Sequence, residues 1–361
     1  MSRRIQFWTG TAAALVLLLG GAGGVRSTTV EPLIDRPGSC RYCVVVAEAL
    51  DGATESIELV LADAELEENP LWESVVAAHE RGVRVRVFLD ESEWASSITE
   101  DNRPAIEFLQ GHGIDARFDD PAVTTHAKLA LVDRTTVILG STNWNRYAFT
   151  DQEQANVRIV DARVGEAFGS WFDALWSGAM ETEEASIDGN PGAVEVPTIV
   201  PLPDVDGSCL YPSTVLPLFD AARRSIHVAM YRASVYAAYS DSSSNALLDA
   251  LVRAGRRGLD VRVVIDDCKF YADSEAANLM SALYLCEQGI PVRFDDPEET
   301  MHAKLVVIDG ESVVVGSTNW NYYALERNVE ASVALLNMPD VAAAFDDYFE
   351  ILWQSGRKVG P

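Results

Sequence analysis

The stretch Thr125–Asn145, THAKLALVDRTTVILGSTNWN, is written a second time at Met301–Asn321 as MHAKLVVIDGESVVVGSTNWN. The copies stand 176 positions apart, and the same offset relates Val85–Asp90 to Val261–Asp266 and Phe118–Pro121 to Phe294–Pro297. Further upstream, Gly38-Ser39-Cys40 answers Gly207-Ser208-Cys209 at an offset of only 169. The second copy therefore carries a short insertion, which the Ser/Tyr-rich run Val235–Ser244 accommodates. A repeat of this length is a duplicated domain, far longer than a solenoid unit. Two such halves commonly face each other across a pseudo-two-fold axis.

Working outward, Ser244–Arg257 places Ala246, Leu247, Ala250, Leu251 and Ala254 on one helical face, with Gly258 as its stop. The apolar runs Val261–Ile265, Leu305–Ile308 and Val313–Val315 suit strands buried on both faces. Asp309-Gly310 between two of them signals a tight hairpin. Helices alternating with such strands predict a layered α/β fold. Residues 181–207, rich in acid, proline and glycine, are expected to be a linker.

The repeated segments also hold the chemistry. Each reads His-x-Lys, four residues, Asp, six residues, Gly-Ser-x-Asn. The first set is His126, Lys128, Asp133, Ser141 and Asn143; the second is His302, Lys304, Asp309, Ser317 and Asn319. On a strand, positions i and i+2 share a face, so each His and Lys are expected to project together. Lysine supplies a cation for phosphate oxygens, and Ser and Asn supply neutral donors to them. Histidine serves as nucleophile or general acid near neutral pH. Two sets across a symmetry axis place one histidine to attack phosphorus and another to protonate the leaving oxygen. The lysines supply the charge stabilisation, so no metal and no cofactor is expected. Asp133 and Asp309 open hairpin turns and read as structural. Trp144 and Trp320 read as core. Tyr147, Tyr322 and Tyr323 stay open, and Arg146 is either a phosphate ligand or a solvated surface residue. His79, His112 and His227 stand outside any motif and are assigned no function.

This doubled pattern resembles the phospholipase D superfamily, whose HxKxxxxD signature both copies match, and the resemblance runs from about Cys40 to Trp353. It implies two pseudo-two-fold-related α/β/α halves, each a mixed β-sheet flanked by helices, with the active site at their interface. The expected bounds are 28–180 for the first half and 208–361 for the second. The family includes phospholipases, phosphatidyl transferases and nucleases that form a covalent phosphohistidine. Its Asn-x-Glu element stands in the second copy as Asn328-Val329-Glu330, while the first copy has Gln152 and Gln154. In relatives this acidic residue orients the histidine of the other half. Glu330 is therefore expected to back His126, and Gln154 to back His302. A carboxylate stabilises an imidazolium and an amide mainly orients it, which makes His126 the expected nucleophile and His302 the general acid. The glutamines also leave a partly degenerate first copy open.

The 361 residues are 48% hydrophobic and 23% charged, which excludes disorder and fibrous repeats. Asp and Glu number 55 against 28 Lys and Arg, a net charge of −27. That excess argues against general nucleic-acid binding, which releases counterions through Lys and Arg. It is compatible with a local basic site in an acidic shell and with a high-salt environment. Asp119 and Asp120 before His126, and Asp295, Asp296, Glu298 and Glu299 before His302, are expected to rim the cleft. There they repel a long polyanion and tolerate a cationic headgroup. A phospholipid substrate at a membrane surface is favoured. An exported nuclease acting on DNA or RNA and a non-catalytic phosphate- or lipid-binding member are the alternatives. Two motifs in one chain let a monomer hold a complete site, with no obligatory protein partner.

Met1-Ser2-Arg3-Arg4 followed by apolar Ile5–Val25 reads as an export signal or retained membrane anchor over 1–27. Ser2–Phe7 faintly resembles a twin-arginine signal. The remainder is expected outside the cytoplasm, secreted or anchored. Export permits disulfides, but five cysteines leave at least one thiol unpaired in a monomer. The lone Cys40-x-x-Cys43 lacks the second pair a zinc site needs and reads as structural or incidental.

Overall fold

A computed structural model describes residues 15–17, 28–92, 96–179, 196–267 and 272–359. The first half runs β1 (Leu15–Leu17), β2 (Thr28–Asp35), α1 (Arg41–Asp51), β3 (Ser56–Leu61), α2 (Leu71–Glu80), β4 (Arg84–Leu89), α3 (Ser96–Gly111), β5 (Asp115–Phe118), β6 (Lys128–Val132), β7 (Thr136–Gly140), α4 (Arg146–Thr150), β8 (Gln152–Val160) and α5 (Ala162–Ser177). The second runs β9 (Thr198–Asp204), α6 (Leu210–Ala221), β10 (Ser225–Met230), α7 (Ser243–Arg256), β11 (Asp260–Ile265), α8 (Ala272–Glu287), β12 (Val292–Phe294), β13 (Thr300–Met301), β14 (Lys304–Ile308), β15 (Ser312–Gly316), α9 (Tyr322–Glu326), β16 (Glu330–Leu336), α10 (Pro339–Ser355) and β17 (Arg357–Lys358). The expected export segment lies largely outside the described residues. Among those described, no helix is long and apolar enough to cross a membrane.

Both halves build the same mixed sheet. Its order is β2-β8-β7-β6-β3-β4-β5 in the first and β9-β16-β15-β14-β10-β11-β12 in the second. Within each, β3–β4–β5 and β10–β11–β12 are parallel, and the remaining pairs are antiparallel. The α/β architecture read from the sequence is thus the observed one. The linker is shorter than its composition suggests. Residues 198–204, inside the expected 181–207, form strand β9, paired antiparallel with β16. Pro201 and Pro203 made this stretch read as irregular, yet β9 is an edge strand, where a missing N–H donor is tolerated.

Among the described residues, three apolar cores hold the molecule. One lies between α1, α2 and α3 and the outer face of the first sheet, centred on Leu59, Trp72, Val87 and Trp144. A second does the same in the other half, around Phe219, Leu251, Val263 and Trp320. The third is shared: Leu129, Leu139 and Val157 of one sheet join Leu305, Val315 and Val333 of the other, with α5 and α10 packed among them. Removing either half strips apolar surface from the other, at roughly 25 cal/mol per Å2 re-exposed.

The hairpins β6–β7 and β14–β15 turn through Asp133-Arg134 and Asp309-Gly310, all four at positive φ. Gly310 adopts that backbone without a Cβ penalty, whereas Arg134 holds it while bonded to Asp173 at 2.7 Å. Cys40 and Cys43 form a disulfide at the start of α1. Cys209 and Cys286 are free, and Cys268 lies outside the described residues.

Candidate active site

The loops entering β6 and β14 cross between halves, and this places the histidines. Thr125 pairs in parallel with Val329 of the second half, and His126 N–H donates to the Val329 carbonyl at 2.8 Å. Reciprocally, β13 pairs in parallel with β8, and His302 N–H donates to the Glu153 carbonyl at 2.9 Å. Each histidine therefore follows a segment paired to the opposite half. Both precede their strand, which begins only at the lysine, so the expected shared strand face does not apply. Each lysine Nζ instead folds back to donate to the carbonyl of its own histidine.

His126 Nδ1 lies 3.0 Å from both oxygens of Glu330, a fully buried carboxylate that also accepts from Ser317 Oγ and from Asn328 Nδ2 at 3.2 Å. His302 Nδ1 donates to the Ser141 carbonyl at 2.9 Å, with Gln154 Oε1 farther off at 3.3 Å. Glu330 and Gln154 thus stand beside the histidines that cross-pairing assigns them. The Ser141 main-chain carbonyl is the stronger brace of His302, and no side-chain pattern could have revealed it. With both Nδ1 atoms donating, the Nε2 lone pairs are the reactive ones.

Burial lowers the pKa of both histidines. Glu330 counters this at His126, while Lys128 and Lys304 add to it. At His302 burial leads, Lys304, Lys128 and His126 add to it, and the bond to the Ser141 carbonyl offsets it only in part, so its pKa falls well below the usual value. Lys128 is pushed down to about 8 by burial, against the pull of Glu330, Asp63 and Asp90. It stays largely cationic at neutral pH. Each histidine feels the lysine of the other half, so the four groups form one cluster.

Several expected roles change. Ser141 and Ser317 were read as donors to substrate oxygens. Each hydroxyl has one proton, and it is given to Gln154 (2.6 Å) and Glu330 respectively. Both are supporting residues. Asn143 and Asn319 differ: their buried Oδ1 acceptors have no partner among the described residues. Asp133 accepts from the backbone N–H groups of Thr54, Glu55 and Ser56, and Asp309 from those of Arg223, Arg224 and Ser225. Partial burial acts to raise the Asp133 pKa, but the donors from Ser56 and Glu55 outweigh it and hold it low. These aspartates anchor β3 and β10 at the end of the sheets away from the histidines. Trp144 and Trp320 are buried and donate to Tyr42 and Tyr211 hydroxyls. Tyr147 bonds Thr300 across the halves at 2.9 Å, and exposed Arg146 pairs with Glu68. His227 is structural, bonded to Asp346 at 2.6 Å and stacked on Phe349.

The acidic segments before the histidines do not simply rim the cleft. Asp119 is partly buried and Asp295 buried, facing Asp90 and Asp266. Asp90 accepts from Thr125 N–H at 2.7 Å, and Asp266 accepts from Met301 N–H at 2.8 Å. These pairs fix the residue before each histidine. Burial, reinforced by the like charge of Asp266, makes Asp295 hold its proton far above the usual carboxylate range. Unfolded, it ionises near pH 4, so its contribution to stability is full below about pH 4 and is lost as pH rises toward the folded pKa. Asp295→Asn should therefore gain on the parent protein as pH rises from 5 to 9, by up to about 1.4 kcal/mol per pH unit, measured by denaturant unfolding. Parallel pH curves for the two proteins would sink this.

The motif glycines have a steric reason. A Cβ on Gly316 would lie 2.1 Å from Ser332 Oγ and 2.4 Å from Ser332 Cα. Gly316→Ala should cost about 1–3 kcal/mol and displace Ser317 from Glu330, seen as a lower Tm with weakened turnover. An unchanged Tm would contradict the close packing. Tyr231 is a residue the sequence reading missed. Its ring lies 4.6 Å from that of His302, and Lys304 Nζ lies 4.7 Å above it. The first copy has Ala62 there, so the repeat gave no signal.

A family model described as cardiolipin synthase, PLD-like domain, matches residues 46–176 and 215–353. Cardiolipin synthase A of Escherichia fergusonii is 24% identical over 301 residues, covering 76% of this chain and 60% of its own length. Mitochondrial cardiolipin hydrolase of Xenopus tropicalis is 37% identical over 119 residues, 33% of this chain and 52% of its own. The chain thus spans about 60% of the length of the synthase relatives. The crystal structure of phosphatidylserine synthase from Haemophilus influenzae Rd KW20 superposes with a TM-score of 0.70 at 12% identity, over 91% of this chain and 87% of that one. That likeness is one of fold.

Proposed function

The chain belongs to the phospholipase D-like family, and from that premise we propose that it cleaves or transfers the headgroup phosphodiester of phospholipids through a covalent phosphohistidine. The observation that carries this is the reciprocal bracing of His126 and His302, each held from the opposite half with Nε2 left to react. In the first step His126 Nε2 attacks phosphorus, and the bond to the leaving oxygen breaks as His302 delivers a proton to it. Glu330 stabilises the positive charge that develops on the His126 ring. Lys128 and Lys304 hold the non-bridging oxygens, supplying charge where it grows. In the second step His302 takes a proton from water or an alcohol, whose oxygen displaces the histidine and breaks the P–N bond. The diester's own negative charge offsets the lysines and favours the protonated His302 that step one requires.

Lipid is favoured as substrate by relatives named for cardiolipin chemistry and by the net charge of −27, which opposes a polyanion. An extracytoplasmic site of action, suggested by the basic-apolar N-terminus, suits a membrane substrate. The test offers purified protein phosphatidylcholine, phosphatidylglycerol, cardiolipin and single-stranded DNA at low and high salt. Release of phosphatidic acid, or formation of a transferred lipid, supports the reading. Nucleotide release with inert lipid would overturn it in favour of an exported nuclease.

A further inference from the structure

The insertion in the second copy supplies one wall of a cavity. Tyr236, Tyr239 and Asp241 from the 231–242 loop face Tyr322, Tyr323 and Glu326 of α9 around a volume of about 580 Å3. Tyr236 accepts the Tyr322 N–H at 3.1 Å, which ties the two walls together. Glu326 uses one oxygen to accept the Ser243 N–H at 3.0 Å, while Asp241 has no partner among the described residues. Four phenol rings and two carboxylates line the space, and among the described residues that line it there is no lysine or arginine. Where the second half has Tyr322, the first has Arg146, closed onto Glu68 at 2.7 Å. The walls are also chain continuations of the phosphate site. One starts at Tyr231 against His302, and the other follows Asn319 by three residues.

From this geometry we propose that the cavity binds a quaternary ammonium group. A weakly hydrated, bulky cation is attracted by the faces of aromatic rings and by uncompensated carboxylate charge. A hard divalent ion instead requires several converging oxygens, and Asp241 and Glu326 supply at most two side chains. The same chemistry is offered by the choline headgroup of a lipid and by a free quaternary amine. Only the lipid source rests on the function proposed above.

Calorimetric titration of the full chain with choline and with 3,3-dimethyl-1-butanol, its neutral isostere, tests the charge requirement. Choline should bind at least tenfold more tightly, and Tyr322→Ala or Asp241→Asn should each weaken it several-fold with an unchanged Tm. Tyr322→Phe should restore most of the affinity. Choline binding no tighter than the isostere, or its displacement by calcium, would overturn the proposal. On vesicles, a Tyr322→Ala rise in KM for phosphatidylcholine but not phosphatidylglycerol assigns the site to a lipid headgroup. Equal KM changes with weakened choline binding assign it to a free amine. His126→Ala should keep full choline affinity. If the parent protein turns over no lipid yet binds choline, the catalytic reading falls and the cation site stands.

Discussion

Changing His126 to Ala is expected to lower turnover by about 10^4-fold or more while the chain still unfolds cooperatively. The ring is only partly buried, and Glu330 keeps its bonds from Ser317 and Asn328 when it is gone. His302→Ala should be as damaging on a natural lipid, and the double variant little worse, because the two groups serve one reaction. They separate on a diester with a good leaving group such as p-nitrophenol. That substrate needs no proton at the departing oxygen, so His302→Ala should still form the phosphohistidine, whereas His126→Ala should not. Acid-quenched protein digested and mapped by mass spectrometry reads the site of phosphate directly. Phosphate found on His302 would reverse the two roles, and an active His126→Ala protein would remove the mechanism.

The second large effect concerns the unequal braces. Glu330→Gln should cut kcat about 100-fold, since an amide presents one acceptor where the carboxylate serves His126, Ser317 and Asn328 together. It also removes the charge that raises the His126 pKa against burial, so that pKa should fall further. Gln154→Glu works in the opposite sense. A carboxylate 3.3 Å from His302 Nδ1 favours the imidazolium, so His302 should hold its proton to higher pH. The limb of the kcat/KM profile that reports His302 should then move toward alkaline pH. Identical profiles for parent and both variants would show that neither brace tunes its histidine.

Much of this was legible because duplication marks what matters twice. The offset of 176 between His126 and His302 identified the halves, and the drop to 169 upstream located an insertion. The insertion falls between β10 and α7, where it supplies one wall of the tyrosine cavity. Strands such as Leu305–Ile308 were readable because an apolar run flanked by a turn signal has few other fates. Strand β9 was not, because proline argues against a strand in general and only its edge position makes the residue harmless.

The side chains of the site divide in the same way. Residue type announced two nucleophile–cation pairs, and the choice between Glu330 and Gln154 announced their asymmetry. Whether a serine hydroxyl points at substrate or at a neighbouring carboxylate is a matter of a few ångströms, and no spacing rule fixes that. Ser141 and Ser317 are the instance: their hydroxyls point at Gln154 and Glu330. The inward turn of Asp119 and Asp295 was hidden likewise, since an acidic loop and a buried acid pair share one composition.

The sequence alone thus determined the two halves, their α/β layering and the His-x-Lys chemistry, because periodicity and residue type are local properties that repetition amplifies. The tertiary structure alone decided which atoms brace each histidine, where the acidic residues turn and that a tyrosine cavity adjoins one half. Those features depend on backbone carbonyls, strand edges and contacts across more than a hundred residues, such as Ser141 with His302, and a linear pattern does not encode distance in space.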